Sequence, residues 1–190
     1  KEVKGNIAYT QTHGDQKKVE AAFAKADRVL KIEIENNRLI TNYMETRGAI
    51  GEYDPATKGL KLTVSSQGVH GLRDTLAEEI LKIKPEKLHV VTGDVGGGFG
   101  TKTFMYREYP LVLEAAKRLK RPVKWIADRA DHFIGDAHGR DNVTVAEVAV
   151  DKSGKFLAMR FDITGNLGAY ASQFGPYIHY LCASMMTGVY

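Results

Sequence analysis

Apolar and polar positions recur with two distinct periods along this chain, and the switches between the periods mark its elements. Val19, Ala22, Phe23 and Ala26 fall at helical spacing, which predicts a helix over residues 17–26 with Asp15 capping its first turn. Leu30, Ile32 and Ile34 then alternate with Lys31, Glu33 and Glu35, the period of a strand with one solvated face. Residues 49–53 and 60–65 read as two strands joined by a turn-rich connection from Asp54 to Gly59. Leu72, Leu76, Ile80 and Ile83 mark the face of a second helix, stopped near Pro85. A buried strand follows at residues 88–92, a helix at 109–119 and a strand at 122–127. A long hairpin closes the pattern, residues 142–150 and 156–164 around the turn Asp151, Lys152, Ser153 and Gly154, and residues 165–190 read as irregular chain. Strands and helices are mixed without strict alternation. The expected class is therefore α+β, a mixed sheet with packed helices, in one domain over residues 1–190.

The strand at residues 88–92 runs straight into Gly93-Asp94-Val95-Gly96-Gly97-Gly98-Phe99-Gly100-Thr101-Lys102. Without Cβ atoms, such a turn can turn successive backbone N–H groups toward an anionic or oxo-bearing ligand. Two common readings fail. A dinucleotide turn needs its third glycine where Thr101 stands, and an acidic residue where the basic stretch Lys117-Arg118-Leu119-Lys120 lies. A Walker-type phosphate loop needs Gly-Lys-Ser/Thr in succession, and Thr101 separates Gly100 from Lys102. A glycine turn serving only close packing is the bland alternative.

Composition changes this picture little. Hydrophobic residues at 43% and charged residues at 26% are those of a globular protein, and the net charge of +4 is scattered rather than clustered, which argues against a nucleic-acid partner. Cys182 is the single cysteine, so neither an internal disulfide nor a cysteine metal cluster is available, and it reads as a small buried hydrophobe. His13, His70, His89, His132 and His179 show no metal-ligand spacing, and His138 alone lies in a motif-like setting. No secretory core opens the chain and no apolar run is long enough to span a bilayer, so a cytoplasmic, non-membrane protein is expected. The absence of an initiating methionine and the apolar final residues read as an excised piece of a longer protein.

Several segments, in order, resemble the molybdenum-binding large subunit of the xanthine dehydrogenase/aldehyde oxidase family, including its carbon monoxide dehydrogenase-like branch. They are the stretch from Asn37 to Ala49 with Met44-Glu45-Thr46-Arg47, then Ser65-Ser66-Gln67, then Gly97-Gly98-Phe99-Gly100 with Lys102. Arg121-Pro122-Val123-Lys124, Asp128-Arg129 and His138-Gly139-Arg140-Asp141 complete the series. The resemblance implies an oxidoreductase that hydroxylates an aldehyde or N-heterocycle with water as the oxygen source. Its cofactor would be a molybdopterin-type molybdenum cofactor, in its plain or cytosine dinucleotide form, with no protein side chain bound to the metal. Electrons would leave through iron–sulfur clusters and FAD on partner subunits or domains, and the remainder of the large subunit would complete the site around a small-molecule substrate. The cofactor would carry the hard chemistry while the protein positions it.

The resemblance also assigns residues. Gln67 would donate its amide to an oxygen on the metal or to a substrate oxygen, a donor that does not titrate. Gly97, Gly98, Phe99 and Gly100 would direct backbone N–H groups at the cofactor, with the Phe99 ring walling the site. Lys102 would neutralise a cofactor phosphate or else be a solvated charge. Glu45 and Arg47 would form a structural ion pair, and Arg140 and Asp141 would organise the fold. Thr41 and Thr46 stand where relatives commonly carry proline, which predicts a looser segment there. The family's catalytic glutamate lies beyond this chain, so no general base is expected within it and the isolated chain should be inactive. Two other classes remain open on the residues alone: a nucleotide-phosphate-binding module without redox chemistry, and a non-catalytic assembly domain.

Overall fold

The computed structural model describes residues 4–185 and residue 188. The chain divides into two compact units, one of residues 1–37, 140–169 and 176–190, the other of residues 38–139 and 170–175.

The second unit carries a four-stranded sheet, β2 (Gly48–Asp54), β3 (Gly59–Val64), β4 (Leu88–Val91) and β5 (Val123–Ile126), in the order β4-β3-β2-β5. β2 lies antiparallel to both β3 and β5, whereas β3 and β4 are parallel and need a crossover. The helix α2 (Val69–Asp74) supplies it, running on into a π-helical stretch, Thr75–Leu81, that ends on left-handed Lys82. Leu72, Leu76 and Ala77 of this crossover are buried with Leu62, Val64 and Leu88 of the strands. The helix α3 (Glu108–Leu119) adds Tyr109, Val112, Leu113 and Ala116 to the buried set. One apolar stripe at helical spacing thus covers one face of a sheet. A short helix the sequence pattern did not predict, α4 (Arg129–Gly135), follows β5. Seven residues are too few for a visible period, and its only local sign is the capping box Asp128 and Asp131.

The first unit holds α1 (Gln16–Phe23), capped by Asp15 on the Lys18 amide as expected, and the sheet β1 (Arg28–Asn36), β6 (Asn142–Val150) and β7 (Phe156–Gly165) in the order β1-β6-β7. The pairing is antiparallel throughout and the predicted hairpin is β6–β7. Its register sets Leu30, Ile32 and Ile34 opposite Val148, Ala146 and Thr144, and those opposite Met159, Phe161 and Ile163. The alternation therefore builds one apolar face, but β1 is exposed at all nine positions, Leu30 at 60% and Ile32 at 57%. No helix among the described residues packs over β1, since α1 lies against β7, so the expected single wet face became two. The irregular chain expected at the end contains a helix, α5 (Gly175–Ser184), whose weak amphipathicity hid it. The Cys182 side chain lies outside the described residues.

Candidate functional site

The sequence-predicted residues Gln67, Gly97, Gly98, Phe99, Gly100 and Lys102 come together at the carboxyl ends of the two parallel strands β3 and β4. That is where ligands settle on open sheets of this kind, because each strand's following loop diverges there. Beyond β3 the chain runs through Ser65 and Ser66 to Gln67, and beyond β4 through Thr92 into the glycine loop. The Ser66 amide reaches the Thr92 hydroxyl at 3.4 Å, and the Gln67 amide donates to the Lys102 carbonyl at 3.2 Å. The two loops are stitched together.

The side chain of Gln67 is held by one end. Its Oε1 accepts from the Gly100 amide at 2.9 Å and from the Lys102 amide at 3.2 Å. Backbone N–H groups can only donate, so the end they meet must be the oxygen. The Nε2 group therefore points away from the loop, and among the described residues it has no protein acceptor. Gly98 makes room for this: a Cβ there would collide with Gln67 Oε1 and lie 2.9 Å from its Cδ. Gly97 and Gly100 adopt φ of +90° and +89°, and Phe99 between them is left-handed as well at +48°. A left-handed phenylalanine is uncommon and leaves the ring 73% exposed at the rim. Among the described residues, the amides of Gly97, Gly98 and Phe99 donate to no protein acceptor. Three successive amides on the loop that holds Gln67, together with its Nε2, are thus left as open donors, the kind of group an oxygen-rich, electron-rich ligand accepts from.

Glu45 ties the two loops together. Its Oε2 accepts from Ser65 Oγ at 2.7 Å, from the Gly96 amide at 2.8 Å and from Lys102 Nζ at 2.7 Å. Partial burial raises its pKa, but the hydrogen bonds from Lys102, Ser65 and Gly96 outweigh that and hold the carboxyl below its usual range. Lys102 corrects the expectation made for it. Its ammonium is fully buried, paired with Glu45 and 4.6 Å from the centre of the Tyr43 ring, so it is neither solvated nor directed at a phosphate. The expected Glu45–Arg47 pair is likewise absent among the described contacts. Successive odd positions leave an irregular segment in different directions, and Arg47 turns inward to Asp136 at 2.6 Å and Glu108 at 3.1 Å.

Arg47 centres a second cluster, buried except at Glu108. Its guanidinium lies 3.6 Å from the centre of the Tyr106 ring, and the Tyr43 hydroxyl and His132 Nδ1 both meet Asp136 Oδ2. Burial alone lowers the pKa of Arg47, but Glu108 and Asp136 reverse this and keep it protonated. Burial and the hydrogen bond to Asp136 raise the pKa of Tyr43 and keep it a neutral donor. Sequence reasoning missed Ser65, Tyr43, His132 and Asp136, because each is defined by a partner twenty or more positions away or by burial, neither of which leaves a periodic trace. Thr41 and Thr46 do not loosen their segment: Thr46 donates to the Ala127 carbonyl at 2.7 Å and Thr41 meets the Thr101 hydroxyl. His138 accepts from Arg38, and Arg140 and Asp141 take left-handed turns leading into β6. An open groove of about 440 Å³ borders Glu45, lined by Met44, Ser65, Gly93, Asp94 and Trp125 among others.

The family description "Molybdopterin cofactor-binding domain" matches residues 1–190. The chain belongs to that family. It is 32% identical over 165 residues to the carbon monoxide dehydrogenase large chain of Hydrogenophaga pseudoflava, covering 87% of this chain and 20% of that one. It is 32% identical over 152 residues to the nicotine 6-hydroxylase large subunit of Paenarthrobacter nicotinovorans, covering 80% and 18%. The solved structure of quinoline 2-oxidoreductase from Pseudomonas putida 86 superposes with a TM-score of 0.75 at 32% identity, covering 82% of this chain and 20% of that one. The resemblance to a molybdopterin-binding large subunit is thus correct, as is the mixed helix-and-sheet class. This family member spans about a fifth of the length of the curated relatives it matches.

Proposed function

We propose that this chain is the first cofactor-binding domain of a molybdenum hydroxylase large subunit, an oxidoreductase of the aldehyde- and N-heterocycle-oxidising kind. The observation that carries this reading is that the loops leaving β3 and β4 are bonded to each other through Gln67 and leave the Gly97, Gly98 and Phe99 amides and the Gln67 Nε2 without protein partners among the described residues.

The residues present fit a molybdopterin group. When bound, it supplies two-electron oxidation with water as the oxygen source. The Gly97, Gly98 and Phe99 amides would bind its oxygens, donors already oriented so that little reorganisation is needed. Gln67 Nε2 would orient an acceptor oxygen of cofactor or substrate without carrying a proton away, since an amide does not titrate. Gly100 serves indirectly, its amide anchoring Gln67. The Phe99 ring would exclude water from the rim. Lys102 supports the loop from beneath rather than neutralising a phosphate. Glu45 is poorly suited to proton abstraction because Oε2 already accepts from three donors, and in this reading the general base is supplied from outside this chain. The same reading includes the rest of the large subunit and iron–sulfur and flavin subunits as partners. Among the described residues no helix is long and apolar enough to cross a membrane, and we take the complex to be cytoplasmic.

The test is metal and pterin analysis of the full-length protein in its native complex, with dye-linked oxidation of aldehydes, N-heterocycles and carbon monoxide. Molybdenum and pterin in equal amounts, stoichiometric with the chain, with turnover of one substrate class, are expected. A complex free of molybdenum, or one binding magnesium nucleotide in its place, would overturn the reading.

A further inference from the structure

One carboxylate oxygen receives three donors from two loops, and each lies at a point that matters to how Gln67 and the glycine loop are held. Ser65 lies two residues before Gln67, Gly96 opens the glycine run, and Lys102 closes it. The fit is mutual. The Glu45 amide donates back to the Gly96 carbonyl at 3.2 Å, and a Cβ on Gly96 would lie 2.5 Å from the Glu45 Cβ, so only glycine admits the carboxylate there. Lys102 passes the constraint on, because its amide donates to Gln67 Oε1 and its carbonyl accepts from the Gln67 amide and from Ser66 Oγ. Arg129 holds the segment carrying Glu45 from the other side, donating to the Tyr43 carbonyl at 2.8 Å and the Met44 carbonyl at 2.7 Å.

We infer that Glu45 is a positioning residue, whose carboxylate fixes both ends of the glycine loop to the Gln67-bearing strand end and so sets how firmly the bound group is retained. This rests on the function proposed above. Glu45 touches neither the three partnerless amides nor Gln67 Nε2. Its influence runs through Gly96 and Lys102.

The experiment compares two charge-neutral pairs in the full-length complex, so that an unpaired buried ammonium does not confuse the result. Glu45→Gln with Lys102→Met keeps an oxygen able to accept from Ser65 and Gly96. Glu45→Ala with Lys102→Met removes it. Hydrogen exchange is read at the Gly100 and Lys102 amides, which are bonded to Gln67 and not to residue 45, together with molybdenum and pterin content. Exchange about tenfold faster in the alanine pair than in the glutamine pair, with molybdenum and pterin lost only from the former, is expected. Equal exchange and equal content in the two pairs would overturn the role given to Glu45. Should the alanine pair fail to fold, Ser65→Ala takes its place: exchange at the same amides should rise about threefold at an unchanged melting temperature, and unchanged exchange would contradict the proposal. A parent complex without molybdenum or pterin would remove the proposed function, while the exchange comparison still judges Glu45 by itself.

Discussion

Glu45 and Arg47 stand two positions apart on one short segment, yet they serve opposite ends of the design. Arg47 is 1% exposed, and its partner Asp136 is equally buried, so that cluster of Tyr43, Glu108, Tyr106 and His132 belongs to the core. The Glu45 side chain is 42% exposed and holds a loop whose Gly97, Gly98 and Phe99 amides have no protein acceptor among the described residues. A buried charge must be answered in full by its neighbours, whereas a rim charge can be traded against solvent and ligand. The inner cluster therefore fixes where the segment lies, and the outer one decides what the loop presents.

The strongest way to break this contrast is Arg47→Ala, which strands Asp136 inside the core and leaves Glu108 without its partner. Removing one partner of a buried pair costs roughly 3–5 kcal/mol, so cooperative thermal unfolding should be lowered steeply or lost, as calorimetry would show. Gly98→Ala should do the converse. A Cβ there displaces the Gln67 carbonyl, so retention of molybdenum and pterin should fall about tenfold while the melting temperature moves little. If it unfolds the protein instead, the loop is part of the core and the contrast fails. Acid should sharpen the comparison. The Glu45 carboxyl is depressed below 4.5, so its stabilisation is present above that pH and lost as pH falls through the lower folded value. Lys102, which pairs with it, and Asp94 and Lys124, which line the same groove, are the charged groups around it. Cofactor release should accelerate in that window before global unfolding, measurable by following free pterin fluorescence. The smallest effect belongs to Lys61→Ala, which deletes an ordinary exposed pair with Glu52 and should change stability by less than about 0.5 kcal/mol in urea melts.

The residues legible in advance were those whose neighbours in sequence are also their neighbours in space. β6 and β7 alternate over long runs around a Gly154 turn, so the hairpin could be read off the pattern, and the glycine run stood out as a ligand-binding turn with close packing as its alternative. Gln67 could be associated with the loop only through resemblance. Which end of its amide is held became clear only when Gly100 and Lys102 were seen to donate to it. Lys102 was misread because a lysine after a loop is usually solvated, and nothing local tells that Glu45, fifty-seven positions upstream, waits for it beneath. Likewise α4 announces itself only by Asp128 and Asp131, and β1 alternates faithfully while telling nothing of how little covers it.

The central claim is that Gln67 is gripped by its oxygen and works through its nitrogen. Gln67→Glu in the loaded full-length complex tests this directly, because a carboxylate still accepts from Gly100 and Lys102 but donates nothing. Turnover per bound molybdenum should drop at least about tenfold with the melting temperature unchanged. Undiminished turnover per molybdenum would contradict the account.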